Sequence, residues 1–255
     1  MRESLHLNFV TEPEPGWILR RLAHGFARHL PNARVSTAPR QDCDANIYVN
    51  YALYGDRTYC DVGFFTHRDT VPPFDQVFDR VAGEVDWCIA MCERTARLLP
   101  EGKTTVIAVG PDDLFYKGDV VLGVVGREYA SGRKRFARIP ALRGLDGIAV
   151  RVTNGGYRLQ DLPQFYREID YLLVLSDNEG GPIPVLEALA MGKPVIAPNV
   201  GFCWDYPVLR YEGEEELHRL LRRLVVPRDS WAKAGSQLEK VVSLVLQQKH
   251  GTSRA

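Results

Sequence analysis

The stretch LSDNEGGPIPVLEALAMGKPVIAPNVG, from Leu175 to Gly201, continues an apolar run beginning at Tyr171 that reads as a strand. It passes into a helix expected over Pro184–Met191 and ends in a further short strand, Val195–Ala197. Strand, helix and strand in that order are the building unit of a parallel sheet with helices on its faces. Glu179 and Glu187 are separated by seven residues, and Gly180 and Gly181 follow the first of them directly. Pro184 suits the first position of a helix, where its fixed φ fits and its missing N–H would be unpaired anyway. Free N–H groups and the helix dipole at such a start favour an anion. Pro182 has no N–H, which leaves Gly180, Gly181 and Ile183 as the donors. Glu187, about one turn further in, can accept two hydrogen bonds from a sugar diol. A surface helix charge beside an ordinary Gly-Gly turn has the same spacing, so the pattern by itself leaves both readings open.

The same alternation runs outward in both directions. Leu5–Val10, Ala45–Val49, Asp61–Phe65, Val85–Ala90 and Thr104–Val109 read as strands, with helices over Trp17–Leu30 and Glu93–Leu99. On the first helix Ile18, Leu22, Phe26 and Leu30 recur at four-residue steps, one apolar face. The turn-rich stretch Gly110–Asp119 interrupts the pattern, which restarts with strands Val120–Val125 and Ile148–Val152 and a helix Leu162–Glu168. Helices over Glu214–Leu224 and Trp231–Gln247 close the chain. We expect an α/β protein of two Rossmann-like lobes, 1–116 and 117–228, hinged near Gly110–Asp119. Residues 229–255 are expected to form a C-terminal helix packing back toward the first lobe. A single doubly wound sheet of about eight or nine strands is the competing arrangement. Val10-Thr11-Glu12 and Val125-Gly126-Arg127 each end the first strand of a lobe, the edge where open α/β sheets bind ligands. Two such edges facing each other would make a cleft.

Composition narrows the function classes. With 255 residues, 45% hydrophobic and 25% charged, the chain is globular in type, neither disordered nor a disulfide scaffold. Its 32 basic residues balance 32 acidic ones, which argues against a basic surface spread over the whole protein for nucleic acid or anionic membrane. The balance conceals a split: residues 1–117 sum to −3 and residues 118–255 to +3. The five cysteines lack zinc-site spacing, and the Cys88/Cys92 pair reads as buried packing. No apolar run approaches membrane-spanning length and the first ten residues lack a signal-peptide core. A cytoplasmic protein, at most peripheral at a membrane, is the expectation.

The segment from Glu179 to Ala197 resembles the E-x7-E signature of GT-B glycosyltransferases, especially the large retaining glycosyltransferase family 4. Leu186-Glu187-Ala188-Leu189-Ala190-Met191-Gly192-Lys193-Pro194-Val195 matches that family's run almost residue for residue. Gly126-Arg127, followed by Arg133-Lys134, resembles its Gly-Arg and Lys pair, which hold the donor diphosphate. Val106–Phe115 resembles its stretch between the lobes, and Leu162–Ser176 its strand before the motif. Gly16 matches the glycine turn that faces the donor phosphates, and His67 a strand-end histidine beside the donor sugar. Two departures stand out. Gly181-Pro182 replaces the usual Phe-Gly, and the chain is shorter than family members commonly are, mainly between Leu30 and Val85.

The resemblance implies a GT-B fold and transfer of a sugar from a UDP- or GDP-linked nucleotide-diphosphate sugar, with retention of configuration. It implies Arg127 and Lys134 on the diphosphate, Gly16, Gly180, Gly181 and Ile183 as N–H donors, and Glu187 on the ribose. Glu179 and His67 would contact the donor sugar, so that His67, Glu179, Arg127 and Lys134 form the catalytic set. It implies no cofactor beyond the donor and no required metal, and no Asp-x-Asp pair is read between the strands as a divalent bridge. The acceptor would be a small molecule, a glycan or a glycolipid. Nucleic acid, met through the basic stretch Arg127–Arg143, is a weaker alternative. Two other readings stand beside this one. The first is an inverting transferase with His67 or a first-lobe carboxylate as base. The second is a non-catalytic shell binding a nucleotide sugar or a partner, suggested by the trimmed lobe and Pro182.

Overall fold

The computed structural model describes residues 4–111, 115, 118–227 and 229–252. The chain divides into unit 1, Met1–Tyr116 with Arg228–Ala255, and unit 2, Lys117–Pro227. Much of the expected hinge, residues 112–114, 116 and 117, lies outside the described residues, as does most of the Asp112–Phe115 resemblance.

Unit 1 is built on β1 (Leu7–Val10), β2 (Ala33–Ser36), β3 (Ala45–Tyr48), β4 (Asp61–Phe65), β5 (Trp87–Ala90) and β6 (Thr104–Val106). They form one parallel sheet in the order β2-β1-β3-β4-β5-β6. Every residue of β1, β3, β4 and β5 is buried, as strands covered on both faces must be, whereas β2 and β6 are half-buried edges. Three helices intervene: α1 (Ile18–Arg28), α2 (Phe74–Glu84) and the single turn α3 (Glu93–Ala96). Strand β2 and helix α2 are absent from the sequence reading. Ala33-Arg-Val-Ser is too short and too evenly half-buried to show alternation, and α2 buries only Phe78, Val81 and Ala82.

Two connections of this sheet are spare. Neither the β2–β3 nor the β3–β4 connection carries an α-helix; the second holds one 3-10 turn, Tyr51–Leu53. Where a helix would cover the sheet, a polar network does so. Asn8 Nδ2 donates to Asn46 Oδ1 (2.8 Å), Ser36 Oγ to Asn8 Oδ1 (2.9 Å), and Asn46 binds the backbone of Arg40 from both sides (2.8 and 2.9 Å). Asn8 and Asn46 are fully buried, so these bonds offset the desolvation that would otherwise make two polar side chains costly in a core.

Unit 2 repeats the architecture with β7 (Val120–Val124), β8 (Ile148–Val152), β9 (Tyr171–Leu173), β10 (Val195–Ala197) and β11 (Leu209–Arg210). All are parallel, in the order β11-β10-β9-β7-β8. Its helices are α4 (Ile139–Arg143), α5 (Leu162–Arg167), α6 (Ile183–Ala190) and α7 (Gly213–Leu224). The two-residue β11 and the short α4, embedded in basic sequence, are also absent from the sequence reading. Two apolar layers sandwich the sheet. Leu122, Val124, Leu173, Leu175 and Ile196 face Leu217 and Leu221 on one side; Leu172, Val195 and Ala197 face Phe165, Val185 and Ala188 on the other.

The last helix, α8 (Ser230–Thr252), returns to unit 1 and completes its core through Trp231, Ala234, Leu238, Val241 and Val242. Trp231 sits edge-on to Phe26 at 5.3 Å, donates Nε1–H to the Pro111 carbonyl (2.8 Å), and occupies the space that a side chain at Gly25 would need. One packing expectation is corrected. Cys88 is buried and its thiol pushed up to about 11 by burial, but Cys92 is exposed at the start of α3. Alternation along β5 ends before Cys92, so the two sulfurs do not share an environment.

Candidate functional site

In unit 2 the chain leaves β7 toward β8 on one side, then crosses back to place β9 on the other side of β7. The strand order therefore reverses between β7 and β9, and the carboxyl edge at such a point is open to a ligand. The loops leaving both strands converge there. After β7 the chain turns at Gly126 and runs through Arg133, Lys134 and Arg135; after β9 it runs through Ser176, Asp177 and Glu179. The Lys134 ammonium pairs with Glu179 Oε1, and Arg133 Nη1 stands 3.7 Å from Glu179 Oε2. One step along, Asp177 pairs with Arg135, has Arg138 at 4.0 Å, and donates its N–H to the Arg133 carbonyl (3.3 Å). In this cluster the cations outnumber the carboxylates. Burial pushes the Glu179 carboxyl upward, but hydrogen bonds from Lys134 and Ser176, with the charges of Lys134 and Arg133, hold it below its ordinary value. It is thus an ionised carboxylate with only 9% of its side chain exposed.

The glycines after Glu179 owe their place to close contacts. Gly201, at φ +51°, brings its Cα so near that a Cβ would fall 2.5 Å from the Gly180 carbonyl oxygen and 2.7 Å from that of Glu179. A side chain there is excluded by both conformation and space. Gly181 lies under the Phe202 ring, whereas Gly180 is exposed with nothing near its Cα. Helix α6 begins at Ile183, so Pro184 is its second residue, not its first. That shift reduces the expected anion cradle. Pro182 and Pro184 have no N–H and the Val185 N–H is bonded to the Pro182 carbonyl (2.9 Å), leaving Ile183 as the donor of the first turn.

Glu187 lies on the next turn of α6, half-buried, and its Oε2 accepts a 2.6 Å hydrogen bond from the Tyr166 hydroxyl of α5. Among the described residues Glu187 has no cationic partner. The two glutamates therefore differ: Glu179 is paired with cations, while Glu187 is met by a neutral hydroxyl donor.

Not every expected residue joins this group. Arg127 is exposed, forms no ion pair among the described residues, and lies over Gly155 beyond β8 rather than toward Glu179. Gly155, at φ +75°, leaves that room: a Cβ on it would be 2.5 Å from Arg127 Nε. Gly16, at φ +84° in the β1–α1 turn, and His67, just past β4, belong to unit 1, both at the carboxyl edge of its sheet. The His67 side chain is 68% exposed, with Nδ1 2.9 Å from Thr66 Oγ1 and Nε2 3.7 Å from Asp69. The switch point of unit 1, between β1 and β3, holds a carboxylate of its own. Glu12 Oε1 accepts from Asn50 Nδ2 and Oε2 from Thr11 Oγ1 (3.2 Å).

An Asp-x-Asp sequence does occur, contrary to expectation, at Asp42-Cys43-Asp44. It precedes β3, at the amino edge of the sheet, where Asp42 binds Arg40 (2.7 Å) and Arg34 (3.2 Å) and Asp44 accepts from the His6 N–H (2.7 Å). Sequence reasoning gave no role to Tyr166, Ser176 or Asp177, and met Arg135 and Arg138 only as members of the basic stretch Arg127–Arg143. Asp177, two residues before Glu179, was within reach of a charge-pattern reading; nothing in the sequence links Tyr166 to Glu187.

Residues 102–234 match the protein family described as glycosyl transferases group 1. No curated protein matches the chain. Among solved structures, HepE of Anabaena in complex with UDP and glucose is 14% identical, with 98% of this chain and 100% of that chain covered and a TM-score of 0.35. The sucrose-phosphate synthase of Thermosynechococcus elongatus is 17% identical over 82% of this chain and 72% of that chain, with a TM-score of 0.32. The apo lipopolysaccharide outer core galactosyltransferase WaaB is 13% identical over 95% and 99%, with a TM-score of 0.35. Superpositions this loose do not bear on the role of any residue.

Proposed function

The chain belongs to the glycosyl transferases group 1 family, and from that premise we propose that it moves a sugar from a nucleotide-diphosphate sugar, UDP- or GDP-linked, to an acceptor hydroxyl. The observation that carries this reading is the Lys134–Glu179 pair at the switch point of unit 2, with Glu187 on the helix that follows.

In this reading Lys134 and Arg133 neutralise the diphosphate as negative charge develops on it, the task of a preorganised cation in a leaving-group site. Glu179, kept ionised by the same cations, accepts hydrogen bonds from the donor sugar's hydroxyls. Glu187 accepts from the ribose hydroxyls, and the N–H groups of Gly180, Gly181 and Ile183 complete the anion contacts. Arg127 reaches the diphosphate by swinging off Gly155. The resemblance to retaining family 4 assigns Gly16 to the phosphates and His67 to the sugar, and it favours retention without a metal. The bond between C1 and the diphosphate oxygen breaks as the acceptor oxygen bonds to C1 on the same face. The acceptor proton passes to the departing phosphate oxygen, so no separate base is needed.

The test uses the full chain with UDP- and GDP-linked hexoses, following binding, slow hydrolysis and transfer. Glu179→Gln is expected to lower turnover about a hundredfold. A product with the donor's anomeric configuration supports retention, and the opposite configuration overturns it. Absence of both binding and turnover with every nucleotide sugar overturns the enzyme reading.

A further inference from the structure

Tyr166 is a buried hydroxyl that touches Glu187, the carboxylate assigned to the nucleotide. It stands on α5, 2% exposed, its ring edge-on to Phe165 at 6.0 Å within the apolar layer beneath β9 and α6. A tyrosine hydroxyl has one proton to give. The Pro184 carbonyl lies at 3.5 Å, the limit of hydrogen bonding, and Glu187 Oε2 at 2.6 Å, the length of a bond to an ionised oxygen. The proton therefore points to Glu187. Burial first, then the hydrogen bond and charge of Glu187, push this hydroxyl far above its ordinary value, so it remains a donor throughout the working pH range.

We propose that Tyr166 is a positioning residue that makes the donor site read ribose. By occupying one lone pair of Oε2 it fixes the rotation of the Glu187 carboxylate and leaves Oε1 directed to accept from a vicinal diol. A salt bridge in the same place would have neutralised the carboxylate. A neutral donor leaves its charge available to hydroxyl protons. The ligand class is accordingly a ribonucleoside diphosphate in preference to its 2′-deoxy counterpart. This inference rests on the assignment of Glu187 to the nucleotide made above.

Calorimetric titration of the full chain with UDP, GDP and the corresponding 2′-deoxynucleoside diphosphates tests it. Tyr166→Phe, which keeps the ring, is expected to weaken ribonucleotide binding about tenfold, the worth of a hydrogen bond to a charged group. Deoxynucleotide binding should change little, and the mutation should add nothing in a Glu187→Ala background. Equal loss with both sugars would mark Tyr166 as packing alone and overturn the proposal, as would an unchanged preference for ribose. If the wild-type chain binds no nucleoside diphosphate at all, it is the donor assignment that falls. A variant that preserves the wild-type melting temperature but loses ribose preference supports the proposal directly.

Discussion

At the switch point of unit 2 the carboxylate of Glu179 lies against Lys134 and Arg133. At the corresponding point of unit 1 the carboxylate of Glu12 lies against Asn50 and Thr11, two neutral donors. The strands of the two units follow the same order around these points, so topology supplies the crevice in both cases. What the crevice can bind is decided by the few side chains that the loops bring to it. Paired cations suit a diphosphate, whereas a carboxylate held by an amide and a hydroxyl suits neutral hydroxyls. The units differ also in how their cores close. Unit 2 is one continuous segment, but unit 1 is completed by α8, more than a hundred residues from the rest of its sheet.

The largest expected effect breaks that second contrast. Trp231→Ala removes the ring that packs on Phe26 and over Gly25, and is expected to cost about 3–5 kcal/mol, the usual loss for a large buried aromatic. Denaturant unfolding followed by near-ultraviolet signals would show it, and a loss under 1 kcal/mol, about that of a surface change, would mean that α8 is an accessory to unit 1.

An intermediate effect concerns acid. Because the Glu179 carboxyl is held below its ordinary 4.5, the stability that it contributes is complete above that pH and is lost as pH falls through the lowered folded value. In Lys134→Met the strongest opposing influence is gone and burial dominates, so the carboxyl should rise and the slope reverse: the variant should lose stability as pH rises through the raised value. Melting temperatures of both proteins between about pH 3 and 7 check this, and parallel curves would show that the pair does not govern the carboxyl.

The smallest effect sharpens the first contrast. Glu12→Gln exchanges a carboxylate for an amide in unit 1, leaves the Lys134–Glu179 pair of unit 2 intact, and should keep nucleotide diphosphate affinity within about twofold. A tenfold change measured by the same titration would show that the two crevices do not divide their chemistry as their charges suggest.

Much of the molecule was legible in the sequence, for reasons that are local. Central strands such as Trp87–Ala90 and Val120–Val124 lie in near-continuous apolar runs because a parallel sheet covers both faces of its inner strands. The Glu179, Gly180, Gly181 and Glu187 spacing survives folding because it is carried by one loop and one helix. Short edge elements, β2 and β11, and the weakly patterned α2 and α4 were not legible, since their burial comes from neighbours distant in sequence.

The sequence by itself determined the alternation of strands and helices, the position of the two glutamates one helical stretch apart, and the proline that limits the N–H donors between them. Each follows from backbone geometry and the chemistry of neighbouring residues. Only the tertiary structure decided that Lys134, not Arg127, meets Glu179, that Pro184 falls second in its helix, and that Tyr166 holds Glu187. Those pairings join residues separated by 45 and 21 positions, and such contacts depend on which loops the sheet order brings to one edge, something no local pattern records.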